Sequence, residues 1–321
     1  MIKKPVVLVS DCHLRKAFDI INILTKNYGD KYDIVLASDR DQRIQLPIIY
    51  NSKVFPLRKT YFQYFEEDLL TLINRFNSFV YLPVEEDTTL LFYAFLEKHP
   101  HSPIQFLLPN IDCFTLVRDK SALQNYCCKH NISAPQPFAF SDISALEHDF
   151  KPLIAKPKVG SGSVGLLHID KVEQLELLKK FSDTDKERYL LQEKIGSTNE
   201  IYGAFFLFKN GKICNYYGHR RIRTYPINGG VTVLSVSKNI DILQNIGTAL
   251  LEKLNWSGFA MIEFISDPSV SDPQKKYKVI EINPRLWGSV MLSEFCGARF
   301  LEQYIQLSIA DSTTKIGRAH V

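Results

Sequence analysis

Apolar and polar positions follow two different rhythms along this chain, and the change of rhythm falls near residue 112. In the first part, short apolar runs alternate with stretches at helical spacing. "PVVLVS" reads as a buried strand, and behind it Leu14, Ala17, Phe18, Ile21 and Leu24 recur at intervals of three and four. The cycle repeats with "YDIVLAS" as a strand, "SKVFPL" as a short third strand, "EEDLLTLINRF" as a helix, "SFVYLPV" as a strand, "TTLLFYAFLEKH" as a helix and "IQFLLP" as a further strand. Strands alternating with helices predict an α/β N-terminal domain, residues 1–112, with a parallel sheet covered on both faces. Ligands of such sheets bind beyond the carboxyl ends of the strands, where Asp11 and the run Glu85 to Asp87 fall. Those carboxylates are candidates for substrate contacts or for helix caps. No G-x-G-x-x-G follows the first strand, which excludes a dinucleotide site there.

Beyond residue 112 the pattern favours strand pairs. "DKSALQNYCCKHNISAPQPFAF" reads as one helix with Ala122, Leu123, Tyr126 and Cys127 on its apolar face, ending in a loop with Pro135 and Pro137. Strands follow at "PLIAKPKV", "GLLHI", "RYLLQEKI", "EIYGAFFLFKNGKICNYYGHRRIRTYP", "TVLSVS", "FAMIEFIS" and "YKVIEIN", with a hairpin signal at "KNG". Helices are expected at "KVEQLELLKKF", "DILQNIGTALLEKLN" and "ARFLEQYIQLSIA". Residues 113–314 therefore read as an α+β domain with mainly antiparallel sheets, divided into a part of about 119–190 and a part of about 191–314.

Composition adjusts this picture only at its margins. The length of 321 residues suits two domains, and a net charge of +4 spread among alternating acids and bases gives no reason to expect a nucleic acid partner. Six cysteines without C-x-x-C spacing read as buried reduced thiols. The longest apolar run, "LLFYAFL", is too short to cross a bilayer, and the N-terminus lacks the features of a signal peptide, so the expectation is a cytoplasmic protein with no membrane association.

Candidate chemistry begins with "KPKVGSGSVGLLHI", where Gly160, Gly162 and Gly165 keep the G-x-G-x-x-G spacing. A dinucleotide fingerprint needs a helix after the glycines, and a strand follows here. A kinase loop would have its lysine on the next strand, with H-R-D and D-F-G motifs later, whereas Lys156 precedes the glycines and neither motif occurs. There remains a hairpin flap whose backbone amides, with Ser161 and Ser163, close over a triphosphate while Lys156 neutralises it; the alternative is a glycine-rich turn without ligand. A second signal is independent of the first. "FAMIEFISD" and "YKVIEINPRLWGS" set Glu263 and Glu281 inside apolar strands, a costly position for a carboxylate without a partner. Glu281 and Asn283 share a strand face, and two carboxylates with an amide oxygen are hard ligands suited to Mg²⁺. Arg285 continues the same alternation and is a candidate for meeting developing negative charge. The alternative is that one glutamate forms a structural ion pair with Arg285. Trp256 and Trp287 read as core anchors, with the border of an acceptor site as the alternative for Trp287, and six of the eight histidines, His13, His99, His101, His130, His148 and His168, lack metal-ligand spacing and receive no role.

Taken together these motifs resemble the ATP-grasp superfamily, over roughly residues 112–310. The resemblance implies that Lys120, in the opening helix, and Lys156 reach the nucleotide phosphates under the flap of Gly160, Ser161, Gly162, Ser163 and Gly165. "LLQEKIGSTNEIYG" is similar to the adenine hinge, which implies that the backbone of Glu193, Lys194 and Ile195 reads the adenine edge and that Glu200 accepts from the ribose. Glu263, Glu281 and Asn283 then become ligands for Mg²⁺, two ions or Mn²⁺ in their place. "GHRRIRTYPINGGVTVLS" and "NPRLWGS" resemble the carboxylate-amine ligases related to carbamoyl-phosphate synthase and D-alanine ligases. That implies ATP-dependent joining of a small carboxylate to a small amine through an acylphosphate, releasing ADP and phosphate, in a protein that a homodimer would suit. His219, Arg221 and Arg223 are expected on one strand face, with the two arginines as candidates for γ-phosphate or substrate contact; a solvated strand face is the alternative. Other activities on this fold, a nucleotide-binding sensor without turnover or a phosphotransferase, remain as alternatives. Finally, "KIGRAHV", residues 315–321, follows a plausible helix end and resembles a translated sequencing adapter (AAG ATC GGA AGA GCA CAC GTC). It is taken as a non-native tail, with the natural chain continuing past about Thr314. Genomic sequence is expected not to encode these seven residues in frame, and finding them encoded there would refute the adapter origin.

Overall fold

The computed structural model of the chain describes residues 4–39, 53–196, 200–226 and 230–318, with side chains up to residue 310. The first unit runs β1 (Val6–Val9), α1 (Arg15–Tyr28), β2 (Asp33–Ser38), β3 (Val54–Pro56), α2 (Phe62–Phe76), β4 (Val80–Leu82) and α3 (Glu86–Lys98). Its sheet is parallel, in the order β3-β2-β1-β4. Strand β1 is buried on both faces because its residues alternate between two cores. Val7 and Val9 join Ala17, Ile20 and Leu24 of α1, whereas Val6 and Leu8 join Phe65 and Leu69 of α2 and Phe92 of α3.

The expected strand "IQFLLP" is not one. Only Gln105 bridges to Val80, through the Gln105 amide to the Phe79 carbonyl and the Tyr81 amide back to the Gln105 carbonyl. Two residues later the backbone leaves the sheet, since the amide of Leu107 donates to the Tyr304 hydroxyl (3.1 Å). That hydroxyl also faces the carbonyls of Tyr81 (3.0 Å) and Leu107 (3.2 Å). The segment serves as the crossing between the two halves of the molecule.

Two helices follow the crossing: the one expected from Asp119 onward forms, and another precedes it. The first, α4 (Ile111–Arg118), starts at Asn110, whose side chain caps the Cys113 amide. The second, α5 (Lys120–Lys129), starts at Asp119, whose carboxylate accepts from the amides of Ser121 and Ala122. An aspartate with extended backbone breaks the run and starts it again.

Next comes an antiparallel sheet in the order β5-β8-β6-β7, made of β5 (Pro137–Phe138), β6 (Leu153–Pro157), β7 (Leu167–Ile169) and β8 (Tyr189–Glu193). The expected helix "KVEQLELLKKF" is only a 3₁₀ turn, Val172–Gln174, leading into the short helix Leu175–Lys179. The last sheet holds β9 (Ile201–Lys209), β10 (Lys212–Tyr225), β11 (Val231–Ser237), β12 (Gly258–Ser266) and β13 (Tyr277–Asn283), antiparallel in the order β11-β10-β9-β12-β13. The hairpin at "KNG" forms as expected, with Asn210 and Gly211 both at positive φ. Helix Asp241–Lys253 packs on β9 so closely that a Cβ at Gly247 would lie 2.4 Å from the Phe206 ring. Among the described residues the cysteines are all free, but only Cys12 and Cys127 are buried, so the expectation of buried thiols holds for just those two. The final helix, Phe300–Arg318, continues past the expected end at Thr314, and residues 319–321 of the proposed tail lie outside the described residues.

The last sheet packs against the first unit through one shared core. Trp287 is fully buried at its centre, with ring centroids 4.5 Å from Phe205 and 4.9 Å from Phe300. Val7, Val9 and Ile20 belong to the same cluster as Phe205, Trp287 and Tyr304. Trp256 is likewise fully buried, so both tryptophans are core anchors. Replacing Tyr304 by Phe leaves the Leu107 amide and two carbonyls with one partner fewer in a dry interior. The variant is expected to lose about 1–3 kcal/mol of stability in chemical denaturation.

Candidate active site

Between the two antiparallel sheets lies a cavity of about 1040 Å³. That volume is at the upper end for a small-molecule site and leaves room for a nucleotide and a second ligand. The loop between β6 and β7 forms one wall. Gly160, Gly162 and Gly165 have φ of 133°, 70° and 77°, and Ser163 shares the left-handed region at 60°. Gly165 is doubly constrained, because a Cβ there would also sit 2.9 Å from Pro157 and from the Tyr189 hydroxyl. Gly160, Ser161, Gly162 and Ser163 face the cavity, while Gly165 anchors the loop outside it.

Opposite the loop, strand pairing brings the acids together. Glu263 of β12 and Glu281 of β13 are direct cross-strand partners. Two like charges in that relation are destabilising unless cations intervene. Arg221 of β10 binds both oxygens of Glu263, at 3.0 and 3.2 Å. Lys120, the first residue of α5, lies 3.6 Å from Glu281 and donates to the Gly160 carbonyl at 2.7 Å, which ties the flap to the acids. Asn283 donates to Glu281 at 3.1 Å. The two carboxyls consequently diverge. Burial pushes the pKa of Glu263 up despite Arg221, whereas burial of Glu281 is outweighed by Lys120 and Lys156, which hold its pKa below the usual range. Lys156 projects from β6 with its ammonium 3.3 Å from the Ile280 carbonyl. Burial brings its pKa down to about 8 against the attraction of Glu281, with Lys120 adding to the decrease.

Arg285 is fixed by three contacts, to the Asn283 side-chain oxygen (2.8 Å), the Leu286 carbonyl (3.0 Å) and Glu86 (3.3 Å). The glutamate that pairs with Arg285 is therefore in the first unit, and Arg221 is the arginine that pairs with Glu263 of β12. Glu86 lies in the first turn of α3, where the helix dipole favours an acid, and it also receives Arg118 at 2.9 Å. Glu85 beside it binds Lys16 at 2.6 Å. Burial and the nearby Arg285 bring the pKa of Lys16 down to about 8.

The expectation that His219, Arg221 and Arg223 share one face is corrected by a β-bulge. Register with β11 jumps between Arg221 and Arg223 and again before Thr224. Beyond the bulge Thr224 takes the buried position, and Arg223 is exposed and outside the cavity. His219 and Arg221 do share the cavity wall. Burial, helped by Arg221, pushes the pKa of His219 down to about 3, so the ring is neutral, with Nδ1 3.3 Å from the Ser289 hydroxyl.

At the hinge, Glu193, Lys194 and Ile195 line the cavity. The Glu193 amide donates to the Gln136 carbonyl and the Lys194 amide to the Pro152 carbonyl. The Glu193 carboxylate is held by Lys278 (2.8 Å) and the Gln136 amide (2.7 Å). Glu200 meets the Tyr202 hydroxyl at 3.5 Å and does not line the cavity. Sequence reasoning passed over Lys16, His168, Gln192 and Ser289, all of which line it. For Gln192 the period-2 relation to Lys194 was a signal in the sequence; the other three had none.

A family model for an ATP-grasp domain matches residues 117–289. No curated protein matches the sequence. Several solved structures share the fold at low identity. The biotin carboxylase domain dimer of Hydrogenobacter thermophilus 2-oxoglutarate carboxylase, in complex with MgADP, ADP and bicarbonate, is 14% identical with a TM-score of 0.69, over 95% of this chain and 69% of that one. D-alanine–D-alanine ligase from Bacillus anthracis is 14% identical with a TM-score of 0.61, over 97% of this chain and 99% of its own. N5-carboxyaminoimidazole ribonucleotide synthetase from Thermotoga maritima is 15% identical with a TM-score of 0.55, over 88% and 69%.

Lys156 is charged below its pKa of about 8 and neutral above it, and only the charged form attracts phosphate. Affinity for ATP is therefore expected to fall as pH rises through about 8, by up to about tenfold per unit. Titration calorimetry from pH 7 to 9.5 measures this, and Lys156→Met is expected to flatten the profile.

Proposed function

This chain belongs to the ATP-grasp family, and on that premise we propose that it is an ATP-dependent ligase joining a small carboxylate to a small amine. The observation that carries the proposal is the cross-strand pair Glu263 and Glu281, set within reach of Arg221, Lys120 and Lys156 at the wall facing the glycine loop. Opposed buried acids ringed by cations suit a site for a metal-bound polyphosphate. Among the described residues no group of three or more His, Cys, Asp and Glu could hold a metal by itself. Two carboxylates and the Asn283 amide oxygen fit Mg²⁺, which keeps waters and shares phosphate oxygens; Mn²⁺ has the same donor preference, and two ions are expected. Bound there, the metal supplies neutralisation of charge on the transferring phosphoryl group.

The roles of the chain's own residues follow from their charges and positions. Residues 160–163 cover the phosphates with their amides, and Lys156 and Lys120 neutralise them. The Ile195 amide and the Glu193 carbonyl are the hinge groups assigned to the adenine edge, with Glu200 assigned to the ribose. Arg285, immobilised by Glu86, Asn283 and the Leu286 carbonyl, orients the substrate carboxylate without a further loss of side-chain freedom. That carboxylate attacks the γ-phosphorus, ADP leaves, and the amine then displaces phosphate from the acylphosphate to give the amide. Arg221 holds Glu263 and meets negative charge next to it; Arg223 takes no part. On this reading about 119–190 is the flap part and about 191–314 the metal and substrate part. The likeness to the dimeric biotin carboxylase domain supports a homodimer.

With amino acids and small carboxylates supplied as pools, the protein is expected to form ADP in a substrate-dependent way. Glu281→Ala is expected to lower that rate by at least about a hundredfold. Substrate-dependent release of AMP would exclude the acylphosphate route.

A further inference from the structure

The sheet β5-β8-β6-β7 presents its cavity face as successive rows of side chains. In the row at one end stands Lys156, assigned above to phosphate. One step of two residues along the strands, about 7 Å away, the row reads His168, Ile154 and Gln192, because Ile154 is the direct partner of both His168 and Gln192. A further step on, Lys194 and Asp170 close the face with an ion pair of 2.6 Å. The middle row is thus the floor on which a base would lie, between the phosphate lysine and the closing ion pair, next to the hinge at residues 193–195. Its centre is an apolar contact, Ile154. Its flanks are not apolar.

Gln192 is 4% exposed, lines the cavity, and makes no side-chain hydrogen bond among the described residues. Its amide is not one of the sealed polar atoms that lack a partner, so its residual exposure includes the polar end. On the other flank both ring nitrogens of His168 are sealed from solvent and have no partner among the described residues. A buried amide without a partner costs free energy unless a ligand supplies one. A glutamine amide is matched by adenine in a way that few ligands achieve: the N6 amino group donates to its oxygen while N7 accepts from its nitrogen. A 6-oxopurine offers two acceptors on the same edge and leaves the Gln192 oxygen opposed to another oxygen.

We propose that Gln192 is a specificity-determining residue of the nucleotide site, reading N6 and N7 of adenine from the sheet floor while the hinge reads the remaining edge. The inference rests on the ATP-binding part of the function proposed above and extends it to a side chain to which the hinge motif assigns no role. Binding is the suitable readout, since it needs neither the carboxylate nor the amine. Titration calorimetry of the full chain with Mg²⁺ would compare ATP, ITP and 7-deaza-ATP on wild type and on Gln192→Met. Wild type is expected to bind 7-deaza-ATP about tenfold more weakly than ATP. Gln192→Met is expected to lower ATP affinity about tenfold, to leave ITP affinity unchanged, and so to reduce the preference for ATP over ITP by that factor. Unchanged ITP binding also shows that the variant is folded. Equal wild-type affinity for ATP and 7-deaza-ATP, or an ATP preference that survives in Gln192→Met, would overturn the inference while leaving the ligase reading intact. Wild type that binds none of the three nucleotides would overturn both.

Discussion

Two carboxylates face each other across neighbouring buried strands, and much of the surrounding architecture can be understood as the means of tolerating them. Glu263 and Glu281 would repel in isolation. Each has been given a cation from a different element: Arg221 from β10 for one, Lys120 from the start of α5 for the other. Lys156 adds a third charge from the neighbouring sheet, at the cost of a depressed pKa. The arrangement is a cluster of opposite charges left close to balance and poorly solvated, which is a suitable host for a polyanion and its counterions. It also explains why the flap is tethered through Lys120: the same ammonium that approaches the acid holds the Gly160 carbonyl.

The first unit takes part in this balance through α3. Its opening turn gathers Arg285 and Arg118 from beyond the crossing at Leu107 and Lys16 from α1, on Glu86, Asp87 and Glu85. The dipole of a helix and three adjacent acids make a site for cations that needs no metal. Beneath it, the aromatic cluster around Trp287 joins the two halves into one apolar core. Orientation of Arg285 thus depends on contacts made by residues two hundred positions earlier, and the two halves act as one support for it.

Much of the plan was legible in the sequence because it rests on local periodicity. The parallel sheet, the hairpin at Asn210 and Gly211, and the coincidence of Glu263, Glu281 and Asn283 all follow from period-2 and period-3.6 patterns. What was not legible depends on tertiary pairing. Leu107 could have continued a strand, but a hydroxyl from Tyr304, almost two hundred residues away, takes its amide. Glu86 looked like a helix cap, and nothing near it in the chain announces Arg285. Gln192 stands inside the stretch that resembles the hinge, but the resemblance gives it no role; its place beside Ile154 on the cavity floor comes from strand pairing. Helix α4 was not legible because its eight residues give barely two turns in which to show a period.

The bulge in β10 behaves as a phase shift written into a strand. His219 and Arg221 face the cavity, and beyond the bulge Thr224 rather than Arg223 takes the buried position. Residue-by-residue transfer of roles from other proteins is therefore unsafe across this point unless their strands carry the same extra residue. In a regular strand of the same sequence the alternation would carry Arg223 onto the wall that His219 and Arg221 line; the bulge leaves that wall with a single guanidinium from β10.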